Sequence, residues 1–287
     1  MSIAFMLSLT LLYIYFLRQR SINRLKNSFT SQDSVLVLPF FPIAFYLFLA
    51  LSFHAFQSEL FSRIAVYFGL PALFLYFGRR EKPKMQITDL LAILALWLPY
   101  DLRFMSPSWR LGEDFGFPMN TLSACIFALI AFGAWRKLDI GLKWRLSLKD
   151  LRVVAGAFII LALIIIPLGY SIGFLNFQVT NKPLWQLPLV YLGIFLGIAI
   201  PEELIFRGLL QNTLSTRYGL FKSLFIASLM FGSAHLDNGT FPNYKYALLA
   251  TIAGLGYGYA YTRTKSIIAS ATVHALVDFT WVLFLHG

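Results

Sequence analysis

About ten apolar stretches, most of them close to the roughly 20 residues that a helix needs to cross a hydrocarbon core of about 30 Å, recur along this chain, and they leave it few folds to choose from. They fall at 2–17, 35–56, 60–78, 88–105, 120–135, 153–175, 187–206, 221–236, 244–262 and 266–285. Backbone groups in lipid must be satisfied within the chain, so stretches of this length imply helices. The expected fold is an all-α, polytopic transmembrane bundle of eight to ten spans, which excludes an outer-membrane barrel. With 58% hydrophobic and 13% charged residues, the composition is that of a membrane protein. Pro99, Asp101 and Arg103 interrupt 88–105, which suits a kinked or re-entrant helix.

The net charge of +11 invites a nucleic-acid reading until the basic residues are placed. Nineteen of the 24 Lys and Arg lie in five segments, Arg18 to Lys26, Arg79 to Lys84, Arg136 to Arg152, Arg207 to Lys222, and Arg263 with Lys265. Arg63, Arg103, Arg110, Lys182 and Lys245 are scattered between them. Basic clusters in alternate loops are the signature of cytoplasmic loops, so the partner is the lipid bilayer and no nucleic acid is expected. The first stretch has no basic residue before it and no small-residue cleavage site after it, which reads as a signal-anchor with both chain termini outside. The stretch from Lys143 to Arg152 reads as a basic, amphipathic surface segment. Cys125, the one cysteine, lies in an apolar run and offers neither a disulfide nor a cysteine metal site. No linker isolates a second soluble domain; N-terminal helices over 1–184 are expected to lead into a helical core over 185–287, in a bacterial or archaeal plasma membrane rather than the endoplasmic reticulum.

Ionisable groups gather in that last region. An ionised carboxylate at membrane depth costs roughly 2.5 to 3.5 kcal/mol on insertion scales, so it persists where it pairs, meets water or does chemistry. Glu202 and Glu203 stand side by side, followed by Arg207, then His235 in Phe231 to His235, then His274 and Asp278. Residues four apart share a helix face, which pairs Glu203 with Arg207 and His274 with Asp278, while Glu202 is turned about 100° away. Glu203 is then a structural partner of Arg207, and Glu202 is the candidate general base. Pro201 should break or open the helix, or begin a new one, and place Glu202 at a helix N-terminus. Pro188, Gly193 and Gly197 are expected to allow close helix contacts, as are Gly254, Gly256 and Gly258. Tyr244, Tyr246, Tyr257, Tyr259 and Tyr261 read as lipid-facing or belt residues, and His54 and His286 as interfacial. Asn238 and Asn243 read as turn residues.

Three ordered motifs, Glu202-Glu203 with Arg207, Phe231 with His235, and His274 with Asp278, make residues 185–285 resemble the CAAX-protease and bacteriocin-processing family, which includes type II CAAX prenyl endopeptidases and abortive-infection proteins. Gly141-Leu142 and Leu148-Lys149-Asp150-Leu151 are similar to that family's segment ahead of a helix. The resemblance implies an intramembrane endopeptidase acting on a membrane-associated peptide or protein, with Glu202 and His235 activating water. It implies that His274 and Asp278 support the oxyanion or orient the site. Asp278 stands where many relatives carry Asn, and an ionised Asp cannot donate a hydrogen bond; either it is protonated, or it sets the His274 tautomer. Zinc held by Glu202, His235 and His274 is the rival arrangement, although the helical His-x-x-x-His zinc motif is absent; no cofactor is expected in the metal-independent reading. Two other readings are a proton-coupled transporter, without visible inverted-repeat symmetry, and a catalytically idle scaffold or immunity protein.

Overall fold

A computed structural model describes residues 2–81, 84–105 and 119–286, with the side chains of residues 2–6, 119 and 286 outside the description. Arg110 and the His286 side chain therefore lie outside the described residues. The fold is all-α, and the chain forms two compact units, Met1–Asp139 and Ile140–Gly287.

The first unit contains α1 (Ser2–Phe16), α2 (Gln19–Lys26), α3 (Phe40–Ser52), α4 (Ser58–Phe77), α5 (Ile87–Asp101) and α6 (Met119–Ala128), the last running on through wider turns to Trp135. Segment 88–105 is a helix of 15 residues with Pro99 inside it, about 22 Å at 1.5 Å per residue and so shorter than the membrane core. Its start is set by Gln86 and Asp89, which close a reciprocal capping box. The unit is tied at one end by charge. Arg136 donates from Nε and Nη2 to Asp89 at 2.9 and 3.1 Å and from Nη1 to the Arg80 carbonyl at 2.8 Å. The Arg80 guanidinium in turn donates to the carbonyls of Trp135 and Phe29. Cys125 is buried among apolar side chains.

The second unit contains α7 (Leu148–Ser171), α8 (Leu187–Ile194), α9 (Ile200–Glu203), α10 (Asn212–Ser233), α11 (Tyr244–Thr264) and α12 (Ile267–Phe284). Residues 141–147 of the basic stretch have no regular structure, and α7 begins at a capping box in which Ser147 and Asp150 satisfy each other. From Leu184 to Ser233 the chain is helical for 50 residues. Gly219, at φ 79° and ψ 169°, breaks that run with a conformation that glycine adopts freely. Phe206 and Phe231 would stand about 37 Å apart along one straight helix, yet their rings meet at 5.1 Å. The run is therefore a helical hairpin, matching the separate segments expected at 187–206 and 221–236.

Five helical stretches among the described residues are long and apolar enough to cross a membrane: Asp33–Ser52, Ser58–Phe77, Leu148–Ser171, Leu184–Ser233 and Ile267–Phe284. Shorter apolar helices cover Leu7–Phe16 and Asn120–Trp135. The protein is an integral membrane protein.

Glycine placement corrects part of the sequence reading. A Cβ at Gly193 or Gly197 would meet nothing within 4 Å, so these positions do not mediate the close contact expected of them. Tight approaches occur on α11 and at Gly232, where a Cβ would lie 1.8 Å from Thr251 Oγ1, as well as at Gly78 and Gly169. On α11, Gly254 faces Arg207 and Phe231, Gly258 faces Leu224 and Gln211, and Gly256, turned about 200° from each, faces Leu161 of α7. Three bare positions thus let α11 sit between α7 and the hairpin.

Replacing Gly232 by Ala is expected to destabilise the protein by about 1–3 kcal/mol through overpacking, whereas Gly193→Ala should be neutral or stabilising by up to about 1 kcal/mol; thermal unfolding in one detergent compares the two. Asp89→Ala should cost about 3–5 kcal/mol, because it leaves Arg136 buried without its counter-charge, and the same melts report it.

Candidate functional site

Glu202 and Glu203 sit in a helix that Pro201 widens without breaking. Residues on either side keep right-handed helical backbone angles, but Phe195–Ala199 and Leu204–Gln211 close their hydrogen bonds five residues apart instead of four. Proline has no N–H to offer the previous turn and crowds it. Wider turns on both flanks accommodate that defect, and such bulges gather at functional sites. The expectation that Glu202 lies at a free helix N-terminus is corrected: the helix continues through it.

The two glutamates have opposite surroundings. Glu203 is wholly buried and has three partners. Arg207 Nε lies 3.2 Å from its Oε2, the Ser270 hydroxyl donates to Oε2, and His274 Nδ1 stands 3.0 Å from Oε1. Arg207 is also fully buried and is no loop residue, although the sequence groups it with a basic cluster. It donates from Nη2 to the Gly254 carbonyl at 2.9 Å and lies over the rings of Phe231 at 4.6 Å and Tyr257 at 5.6 Å. Those faces receive the cation where Nε, although ion-paired, and Nη1 make no hydrogen bond among the described residues. One turn on, Gln211 repeats the pattern by donating to the Gly258 carbonyl at 3.1 Å.

Glu202 has a side chain that is 34% exposed, and its buried Oε2 makes no hydrogen bond among the described residues. Its nearest charged neighbour is His274 Nε2 at 3.8 Å, beyond hydrogen-bond range. The same nitrogen stands 3.4 Å from Asp278, whose side chain is 33% exposed. His274 thus has one carboxylate on its Nδ1 side and two on its Nε2 side, and it serves both sides as a donor only as the imidazolium. Tyr257 stacks on the His274 ring at 4.5 Å and 12°.

His235 follows α10 in a turn. Its Nδ1 lies 2.8 Å from the Phe231 carbonyl, and its ring touches Phe231 at 4.8 Å and Tyr246 at 4.8 Å. It has no hydrogen bond or ion pair to Glu202 or His274 among the described residues. Phe231 joins the two imidazoles, since its ring also meets His274 edge-on at 5.6 Å. Glu202, His274 and Asp278 therefore converge directly, and His235 stands beside them across one aromatic ring.

Among the described residues no group of three or more His, Cys, Asp and Glu side chains is arranged to hold a metal ion. Both His274 nitrogens face carboxylates and His235 does not join them, so the zinc set Glu202, His235 and His274 does not fit as it stands.

Four residues differ from, or are missing from, the sequence reading. Tyr257 and Tyr261 are buried, not lipid-facing, and Tyr246 is half-buried against His235. Tyr244 and Tyr259 are exposed. Ser270 carried a usable signal, since Ser270, His274 and Asp278 repeat every fourth residue along one face of α12. Asn243 caps α11 by accepting from the Tyr246 N–H and donates to the Asn238 carbonyl, as turn residues do.

With this geometry in place, comparison with known families becomes informative. Residues 183–280 match the family model described as type II CAAX prenyl endopeptidase Rce1-like. This region, about a third of the chain, is similar to that family. The match spans the helical hairpin, α11 and most of α12, and at the level of the family it supports a CAAX-type intramembrane protease. Neither a curated protein nor a solved structure matches the chain.

Arg207→Met is expected to destabilise the protein by about 3–5 kcal/mol, because Glu203 stays buried without its cation. Adding Glu203→Gln to that variant should recover a substantial part of the loss. Melting temperatures of Arg207→Met, Glu203→Gln and the double variant check the coupling, and strictly additive losses would show that the pair is not one unit.

Proposed function

We propose that the protein is an intramembrane endopeptidase that hydrolyses a peptide bond of a membrane-associated protein or peptide without a metal, with Glu202 as the base that activates water. The observation that carries this reading is the contrast between neighbours: Glu203 has every partner a carboxylate needs, whereas Glu202 keeps an oxygen with no hydrogen bond among the described residues and a partly open side chain. A carboxylate left unpaired at membrane depth is costly unless water or substrate uses it.

Glu202 accepts a proton from water as the water oxygen bonds to the scissile carbonyl carbon. The tetrahedral oxyanion that forms is stabilised by the positive charge of the His274 imidazolium, whose two N–H groups face Glu203 and Asp278. The C–N bond then breaks, and the proton held by Glu202 passes to the departing amine. Asp278 and Glu203 hold the His274 ring from its two sides, which is the orienting role rather than direct donation. His235, with Nδ1 on the Phe231 carbonyl, presents Nε2 as the second group that positions the water.

Three variants test the reading on a randomised pool of palmitoyl-anchored decapeptides in liposomes, with products mapped by mass spectrometry. Glu202→Gln should lower cleavage at least a hundredfold with the melting temperature retained, and cleavage at the wild-type rate would remove Glu202 from the mechanism. His235→Ala should lower kcat by about 10²–10⁴, the range for a positioned acid or base. Asp278→Asn, which keeps the side-chain shape, should retain measurable activity. Activity that survives exhaustive chelation is expected; loss on chelation with recovery on zinc would favour the metal reading.

A further inference from the structure

A short extended segment lies beside this site with half of its backbone unused. After α7, residues 176–180 run antiparallel to the end of α12. Asn176 pairs with His286 and Phe177 with Leu285, giving strands β1 (Asn176–Phe177) and β2 (Leu285–His286). The pairing continues as the Gln178 N–H donates to the Phe284 carbonyl at 3.0 Å and the Thr180 N–H to the Leu283 carbonyl at 2.8 Å. Successive residues of an extended chain present their amides to opposite sides. With Gln178 and Thr180 facing α12, the N–H and C=O of Phe177 and Val179 face away, and they have no hydrogen bond among the described residues.

The side chains on this segment point to the nature of what covers it. Phe177 is 67% exposed and Val179 55%, and Leu184 and Trp185 nearby are exposed as well. The segment lies between the apolar helices ending at Ser171 and beginning at Leu184; water there can satisfy backbone groups but leaves apolar side chains uncovered, and lipid does the reverse. An extended peptide supplies both, since its backbone pairs with the edge while alternate side chains meet the apolar surface.

The segment also adjoins the proposed chemistry. Phe174, at its start, packs on Trp281 at 5.2 Å and Tyr246 at 5.3 Å, and Tyr246 packs on His235. From Leu285 back to Asp278 is seven residues of helix, about 10 Å, or about three residues of an extended strand.

We propose that the outer edge of residues 176–180 receives the substrate's extended backbone as a third strand, through the Phe177 and Val179 peptide groups, and so leads the scissile bond toward Glu202. The proposal rests on the endopeptidase reading, and it adds how that site holds a peptide independent of side-chain sequence.

The test is an N-methyl scan of the most rapidly cleaved decapeptide from the anchored pool. Methylation removes one peptide N–H at a time and leaves the protein untouched. Strand addition predicts that alternate positions raise KM about fivefold, the worth of one hydrogen bond, with kcat changed less than twofold, while intervening positions have little effect. A scan without that period of two, or without effect, overturns the proposal. On the protein side, Val179→Pro removes the outward donor and should reproduce the rise in KM, whereas Val179→Ala should not. Should Val179→Pro fail to fold, the scan on the wild-type chain decides alone. Binding of fluorescein-labelled pool members to the Glu202→Gln protein separates the two ideas: the same period in Kd supports the edge even if the catalytic assignment fails, and no binding of any member counts against the edge.

Discussion

The structure of the second unit depends on how a fully buried Glu203 is neutralised. Arg207, Ser270 and His274 reach it from two directions, one along its own helix and two from α12. Each partner is tied to something else. Arg207 donates to α11 and lies against aromatic faces, the Ser270 hydroxyl is also 2.7 Å from the Tyr257 carbonyl, and His274 passes charge on toward Asp278 and Glu202. A buried ion pair of this kind is costly to break and contributes little net stability against an apolar alternative. Its value is in position: it fixes the His274 ring, and with it the surroundings of the neighbouring Glu202 carboxylate.

Backbone placement makes that arrangement attainable. Arg207 and Gln211, four residues apart in the widened helix, donate to the carbonyls of Gly254 and Gly258, four residues apart on α11. A Cβ at Gly258 would lie 2.5 Å from Gln211 Oε1, so the approach needs bare backbone. Pro201 removes one helical donor, the turns around it widen, and Glu202 stands in the altered stretch. Packing, polar satisfaction and the partly open Glu202 are consequences of the same few residues.

Much of this was legible because membrane burial makes charge conspicuous. The apolar runs indicated a helical bundle, and spacing alone separated Glu203, facing Arg207, from Glu202. The pairing of His274 with Asp278 followed from the same periodicity. What spacing hides is contact between helices. Tyr257 looks like any aromatic of a membrane helix until α11 is seen to place it face to face with His274. Gly193 and Gly197 look like packing glycines until their surroundings are seen to be open. Pro201 was recognised as a perturbation, but whether a helix breaks or widens depends on neighbours that a one-dimensional pattern does not contain. The strand edge at Phe177 and Val179 arises from the pairing of segments more than a hundred residues apart, which no local signal announces.

The inequality of the two adjacent glutamates can be measured directly by treating the membrane-embedded protein with an apolar carbodiimide and locating adducts by fragment mass spectrometry while following cleavage. Glu202 should be modified, with peptide hydrolysis lost in step, and Glu203 should stay unmodified until the protein unfolds. Equal labelling of both residues, or modification of Glu202 that leaves hydrolysis intact, would contradict the account.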